Sequence, residues 1–226
     1  MRPLSILAAS LFIASAHAGQ VFDGFEGGAN PNGWQWNGGG SIVASGGHPG
    51  AWLGSGEITA LGGALTAWPA PGTALADALA SGELASVSLD FEQLAPGCDN
   101  PGQVGRFVLI LTNTHGTADL QDDDFAYTIG EAVPDTFGSW SHVAFTIPVG
   151  ATTLPRGWVG GHYGDPVHFA DGVTWPDLIA SIDRIDVDLN VPFLDHTWGC
   201  WNVGVDSIAV TYGGDEIFAD GFDDVP

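Results

Sequence analysis

The chain has 226 residues, with 27 acidic side chains against four basic ones and a formal net charge of −23 at pH 7. So acidic a surface repels the phosphates of nucleic acid and the headgroups of anionic lipids, which argues against both as partners. It favours solubility and divalent cations, and most of the acids need no role beyond a solvated coat.

The N-terminus has the layout of an export signal. Arg2 supplies a positive start, Leu4 to Ala16 an apolar run, and Ala16-His17-Ala18 a small-x-small cleavage site. The run is shorter than the roughly 20 apolar residues that span a bilayer, and no second run follows, so no membrane insertion is expected. Residues 1–18 are read as a signal peptide and the product as secreted or periplasmic. Roughly 200 residues remain, enough for one β domain with its own core. We place that domain at residues 19–213, followed by an acidic tail at 214–226. In an exported chain with two cysteines, Cys98 and Cys200 are expected to form one disulfide.

The composition, with 34 Gly, 14 Pro and 9 Trp, suits short strands broken by turns. Within "VFDGFEGG", Phe22 to Glu26 is read as the opening strand. "GTALADALASG" is a weak helix candidate with Gly82 as its stop. "ASVSLDFEQL" places Val87, Leu89 and Phe91 on one face and Ser88, Asp90 and Glu92 on the other. Phe107 to Leu111 is apolar on both faces, as in a central strand. "LQDDDFAY" lacks the spacing of an EF-hand loop and is read as a solvated loop. Val143, Phe145 and Ile147 alternate with His142, Ala144 and Thr146. "TWPDLIASI" reads as a short helix with Thr174 as N-cap, Pro176 in its first turn and Asp177 favouring its start. Ile185, Val187 and Leu189 then face inward while Asp186, Asp188 and Asn190 face solvent or a groove. "VGVDSIAVTY" closes the set. The fold class is all-β, an antiparallel β-sandwich of jelly-roll, galactose-binding-like type, with one or two short helices.

Several of these phrases together carry a family likeness. The opening "FEGG", the "NGWQW" that follows, the "SGGHPGAWL" turn, the Trp140 strand, Gly157-Trp158, "IDRIDVDL" and the closing "GVDSIAV" resemble the laminin B-type jelly-roll module of bacterial secreted proteins. The resemblance implies that the first and last strands lie side by side. In related carbohydrate-binding jelly rolls a structural calcium sits there, and the matching ligands would be Glu26 and Asp206. Ca²⁺ takes six to eight oxygens, so main-chain carbonyls of a Gly-rich turn would complete the shell. The alternative is that Glu26 caps a turn and Asp206 pairs with Arg184 or solvent. His48 and Asp23 depart from the family pattern.

Indole faces stack on pyranose rings, and Trp34, Trp36, Trp198 and Trp201 lie among Gly, Asn and His in apparent loops. They are either sugar platforms or covers for the ends of the sandwich, whereas Trp52 and Trp140 are read as core. For catalysis, Asp186 with Asp188, or Asp90 with Glu92, share a strand face as a glycosidase pair would, but no nucleophile elbow or H-E-x-x-H is present. His162, Asp165, His168 and Asp171 share one loop, as a mononuclear metal site or as turn caps. The expected function is non-catalytic binding of an extracellular polysaccharide or matrix-like polymer, with Trp34, Trp36, Trp198, Trp201, Asp186 and Asp188 as candidate contacts. A glycan hydrolase and an envelope structural protein stand as alternatives. The acidic "IFADGFDD" near the end resembles short tails of otherwise unrelated bacterial secreted proteins.

Overall fold

The computed structural model describes residues 18–60, 63–96, 105–190 and 199–213, with the side chains of 57–60, 96, 199 and 200 left aside. The signal peptide, the acidic tail, Cys98 and Trp198 lie outside the described residues, and so does the Cys98–Cys200 pairing.

Twelve strands occur among the described residues. The first five are β1 (Gly19–Asp23), β2 (Trp34–Trp36), β3 (Ser41–Gly47), β4 (Gly50–Ala60) and β5 (Leu65–Ala67). After helix α1 (Ala74–Ala80) come β6 (Leu84–Pro96), β7 (Arg106–Asn113), β8 (Asp124–Ala132), β9 (Trp140–Thr146) and β10 (Trp158–His162). Helix α2 (Trp175–Ile179) leads into β11 (Arg184–Asp188) and the long closing strand β12 (Gly199–Tyr212). One sheet runs β3-β4-β12-β6-β9, with β1 added beside β12, and the other runs β10-β8-β7-β11-β5-β2. The named strand pairs are antiparallel, so the chain is an all-β sandwich with two short helices.

Period-two alternation decides what lies between the sheets. Val87, Leu89 and Phe91 from β6 meet Phe107, Leu109 and Leu111 from β7, and all six are buried. Phe91 and Phe107 meet edge-to-face at 4.8 Å, a geometry worth about 0.5–1.5 kcal/mol beyond the area it buries. Val143, Phe145, Ile147, Ile185, Val187 and Leu189 join the same core.

Both helix expectations hold in detail. Thr174 caps α2 in a reciprocal box with Asp177, and Trp175 turns edge-on to Trp158 at 4.9 Å. Thr73 caps α1, and Gly82 follows its end with φ +69°, a conformation that an L-residue rarely adopts.

Two readings need correction. Trp52 is buried, but neither it nor the half-buried Trp140 lies in the core between the sheets. Trp52 lies across Gly54 and Gly204 on the outer face of the β12 sheet, edge-on to Trp140 at 6.1 Å. The aspartates of "LQDDDFAY" are not a solvated run either, because Asp123 and Asp124 are buried and partnered while Asp122 stays exposed. Two neighbouring carboxylates can be buried here because Arg184 meets one and His115 the other.

Candidate functional site

Two regions gather polar side chains with unusual surroundings: the seam beside β12, and a groove over β11.

The seam forms because β12 changes partner. Along one edge it pairs with β4 up to Val205↔Leu53, then with β1 from Ile208↔Asp23. Asp206 and Ser207 fall in the interval between the two partners, where the register against β6 also shifts and Ser207 takes φ +50°. The first and last strands therefore do lie side by side. The opening strand ends at Asp23, so Glu26 begins a short 3-10 turn (Glu26–Gly28) rather than continuing the strand.

Asp206 is fully buried, and its two oxygens accept the main-chain N–H groups of His48, at 2.6 Å, and of Ser207, at 2.7 Å. Desolvation by burial raises its pKa against these hydrogen bonds, with the charges of Asp90 and Glu26 pushing the same way. It pairs with neither Arg184 nor solvent. A Cβ on Gly47 would lie 2.7 Å from Asp206 Oδ2 and 2.9 Å from the carbonyls of Ala51 and Gly50, so three oxygens surround one small space. A Cβ on Gly50 would collide with the Glu26 carboxylate, which accepts the Ala51 N–H at 3.4 Å. Glu26 and Asp206 thus meet on the same Gly47–Gly50 turn. Among the described residues no group of three or more His, Cys, Asp or Glu side chains is arranged to hold a metal ion. A cation here would need two carboxylates supplemented by main-chain carbonyls, which is chemistry suited to calcium. The residues fit that ion.

The groove lies on the outer face of the other sheet, where strand register sets three rows of side chains. The central row runs Tyr127–Ile110–Asp186–Thr66–Gln35 across β8, β7, β11, β5 and β2. Phe125, Thr112 and Arg184 form a row on one side of it, and Ile129, Val108 and Asp188 a row on the other. The β8–β7 half is apolar, since Val108, Phe125, Tyr127, Ile110 and Val159 form a cluster separate from the main core. The β11 half is polar. Between them lies a groove of about 510 Å³, with Tyr163 and Leu120 exposed along it.

Arg184 organises the polar half. Its Nε donates to Asp186 Oδ2 at 3.0 Å, one terminal nitrogen to Asp123 Oδ2 at 3.3 Å, and the other to the Thr112 hydroxyl at 3.4 Å. Thr66 donates its hydroxyl to Asp186 Oδ1 at 2.5 Å. Desolvation raises the pKa of Asp123 against the pull of Arg184. Asp188 has no cationic partner among the described residues and accepts the Asn190 N–H at 3.0 Å. Burial pushes its carboxyl up to about 6, with the charge of Asp186 adding to the effect.

The tryptophan expectations are corrected. Trp34 and Trp36 are β2 core residues, and Trp201 is a β12 core residue. Each is 1–3% exposed and offers no face to a sugar. Trp34 is held there by Asp23, which accepts its Nε1–H at 2.8 Å and two contacts from Asn32. That accounts for Asp23, which departs from the family pattern: it is a buried acceptor, which spacing alone did not reveal. The signal for Phe125 on the groove wall was present, since it alternates with the buried Tyr127 within "DFAY". Tyr163 in "HYGD" carries no periodic signal.

The other acidic and histidine candidates have local partners. Asp90 is bracketed by His142 Nδ1 at 2.8 Å and His48 Nδ1 at 3.0 Å, with the two rings on the outer face of the β12 sheet. Burial pushes its pKa up, but hydrogen bonds and charge from both imidazoles bring it below the usual value. Glu92 is buried on the same strand, and desolvation raises its pKa. In the loop after β10, His168 Nδ1 meets the Asp165 carboxylate at 3.1 Å while His162 Nδ1 meets the His168 carbonyl. These are turn contacts, and they do not converge on a metal.

Comparison with models of protein families, with curated proteins and with solved structures finds no match to this chain.

Proposed function

We propose that the protein is an exported, non-catalytic binding module of laminin B-like jelly-roll type, whose outer groove over β11 takes an extracellular glycan. The supporting observation is the division of that groove. Apolar Ile110, Leu120 and Phe125 line it beside Asp186, Asp188, Thr112 and Arg184, with Tyr163 exposed at the edge. A pyranose ring has the matching division, with apolar C–H faces and a rim of hydroxyl groups. Orientation would come from the few fixed polar groups and affinity from the apolar contact. The seam would serve a structural calcium held by Glu26, Asp206 and carbonyls of the Gly47–Gly50 turn, remote from the ligand.

Glycan-array binding of the wild type and of Tyr163→Ala tests the proposal. Tyr163 is 55% exposed and holds no core contact together, so the variant should fold. The expected result is a set of glycans bound by the wild type and lost or weakened about tenfold in the variant. Binding of no glycan, or equal binding by both proteins, would contradict it.

A second reading has one observation in its favour. Asp188, pushed up to about 6, lies two residues from an Arg-paired Asp186 on the same strand face, so an acid and a carboxylate stand together. Glycoside hydrolysis would need them on either side of the scissile bond. Release of reducing ends from the bound glycan, lost in Asp188→Asn, would establish that reading over simple binding.

A further inference from the structure

We propose that the groove over β11 selects amino-bearing glycans, oligosaccharides whose sugars carry free ammonium groups, with Asp188 as the counter-charge of one of them. The inference rests on the reading of the groove as a glycan site and adds the chemical class of the ligand.

Three carboxylates, Asp123, Asp186 and Asp188, line the groove, and among the described residues along it Arg184 is the one cation. That guanidinium is already committed, since its three nitrogens point to Asp186, Asp123 and Thr112. A uronic acid or sulfated sugar would therefore meet a net negative wall with no cation to receive it. The whole-chain charge of −23 opposes such ligands at long range as well. A neutral glycan would meet no such barrier, but it would leave one feature without a purpose. Asp188 is largely withdrawn from water, and among the described residues its partners are main-chain N–H groups, those of Asn190 and Leu189. Asp186 and Asp123 each have an arginine contact, and Asp188 has no equivalent among the described residues. Its carboxyl is raised to about 6 because burial removes water and none of the described residues brings a positive charge to it. An ammonium donated by the ligand supplies that missing charge in a low-dielectric setting, where a charge-assisted hydrogen bond is strongest. The neighbouring Ile110, which lines the groove and stands opposite Asp186 in the register, would receive the C–H face of the same sugar.

The test compares three β-1,4-linked hexamers of matched length, those of glucosamine, N-acetylglucosamine and glucose, by isothermal titration calorimetry at about pH 6.5, where most of Asp188 is ionised. A lysine tetrapeptide serves as a cation without a pyranose face. The variants are Asp188→Asn, which keeps the shape and removes the charge, and Glu83→Gln, an exposed acid of the general coat. The expected result is binding of the glucosamine hexamer at least about tenfold tighter than either neutral hexamer. That preference should disappear in Asp188→Asn and persist in Glu83→Gln. Equal binding of all three hexamers would overturn the ligand class while leaving the glycan site standing. A preference that survives Asp188→Asn, falls equally in Glu83→Gln, or is matched by the lysine peptide would overturn it in favour of attraction to the acidic coat. Failure of any hexamer to bind would remove the glycan site itself.

Discussion

Asp206, midway along β12, accepts the main-chain N–H of His48 at 2.6 Å, a hydrogen bond that spans 158 positions of the chain. It closes the seam where β12 passes from β4 to β1, and it fixes the turn on which Glu26 also rests. The seam is therefore organised from both ends of the domain at once.

If that seam holds calcium, an ion that binds only the folded state stabilises it by about 2.7 kcal/mol at a hundredfold excess over its dissociation constant. Thermal unfolding with and without chelator measures this. Glu26→Gln should abolish the difference at little other cost, because Glu26 is exposed and its one hydrogen bond, at 3.4 Å, is long. Asp206→Ala should abolish it too, and should cost a further ~1–3 kcal/mol by stranding the N–H groups of His48 and Ser207. A wild-type melting curve indifferent to chelator would leave the seam without an ion.

Arg184 is the keystone of the groove's polar half. Its side chain is 19% exposed and faces carboxylates that are 8% and 12% exposed. Arg184→Ala would leave Asp123 and Asp186 buried without a counter-charge, a loss of roughly 3–5 kcal/mol for such breaks. Arg184→Lys should lose less, since one ammonium keeps the charge but cannot reach both acids and Thr112 as a planar fork does. Urea denaturation of the two variants at pH 7 gives the comparison, and equal stability of all three proteins would show that the network is not stabilising.

Asp188 makes the opposite prediction. Its folded pKa of about 6 exceeds the ordinary 3.8, so the folded chain holds that proton more tightly than the unfolded chain. The linkage then follows: below about pH 4 both states are protonated and nothing is lost, stability falls between about pH 4 and 6 as the unfolded chain gives up the proton first, and above about pH 6 the loss is complete. Asp188→Asn should stabilise the protein by roughly 1–3 kcal/mol at pH 8 and change it little at pH 3.5. A residue that weakens the fold at neutral pH is what a site held ready for a ligand would contain. A stability difference independent of pH would contradict the assigned environment.

The sandwich was legible because alternation at period two is a local property. Ile185, Val187 and Leu189 could only face inward once Asp186 and Asp188 faced out, and the Thr174 cap and the Gly82 stop are equally local signals. The tryptophans were misjudged for a corresponding reason. Gly and Asn neighbours suggested loops for Trp34 and Trp36, whereas a distant acceptor, Asp23, allows the Trp34 indole to be buried beneath them. Asp123 was misread because its counter-charge, Arg184, stands 61 positions away. The groove itself depends on β8, β7 and β11 becoming neighbours, a matter of topology that no short window of sequence contains.

Backbone amide chemical-shift mapping of the bound glycan tests the central claim most directly. Titration with the tightest-binding oligosaccharide should shift the amides of Ile110, Thr112, Phe125, Tyr163, Asp186 and Asp188, which line the groove. The face of the other sheet around Trp52, Trp140 and His142 should stay unchanged. Shifts confined to that second face, or none anywhere at saturating glycan, would contradict the assignment of the β11 groove as the binding site.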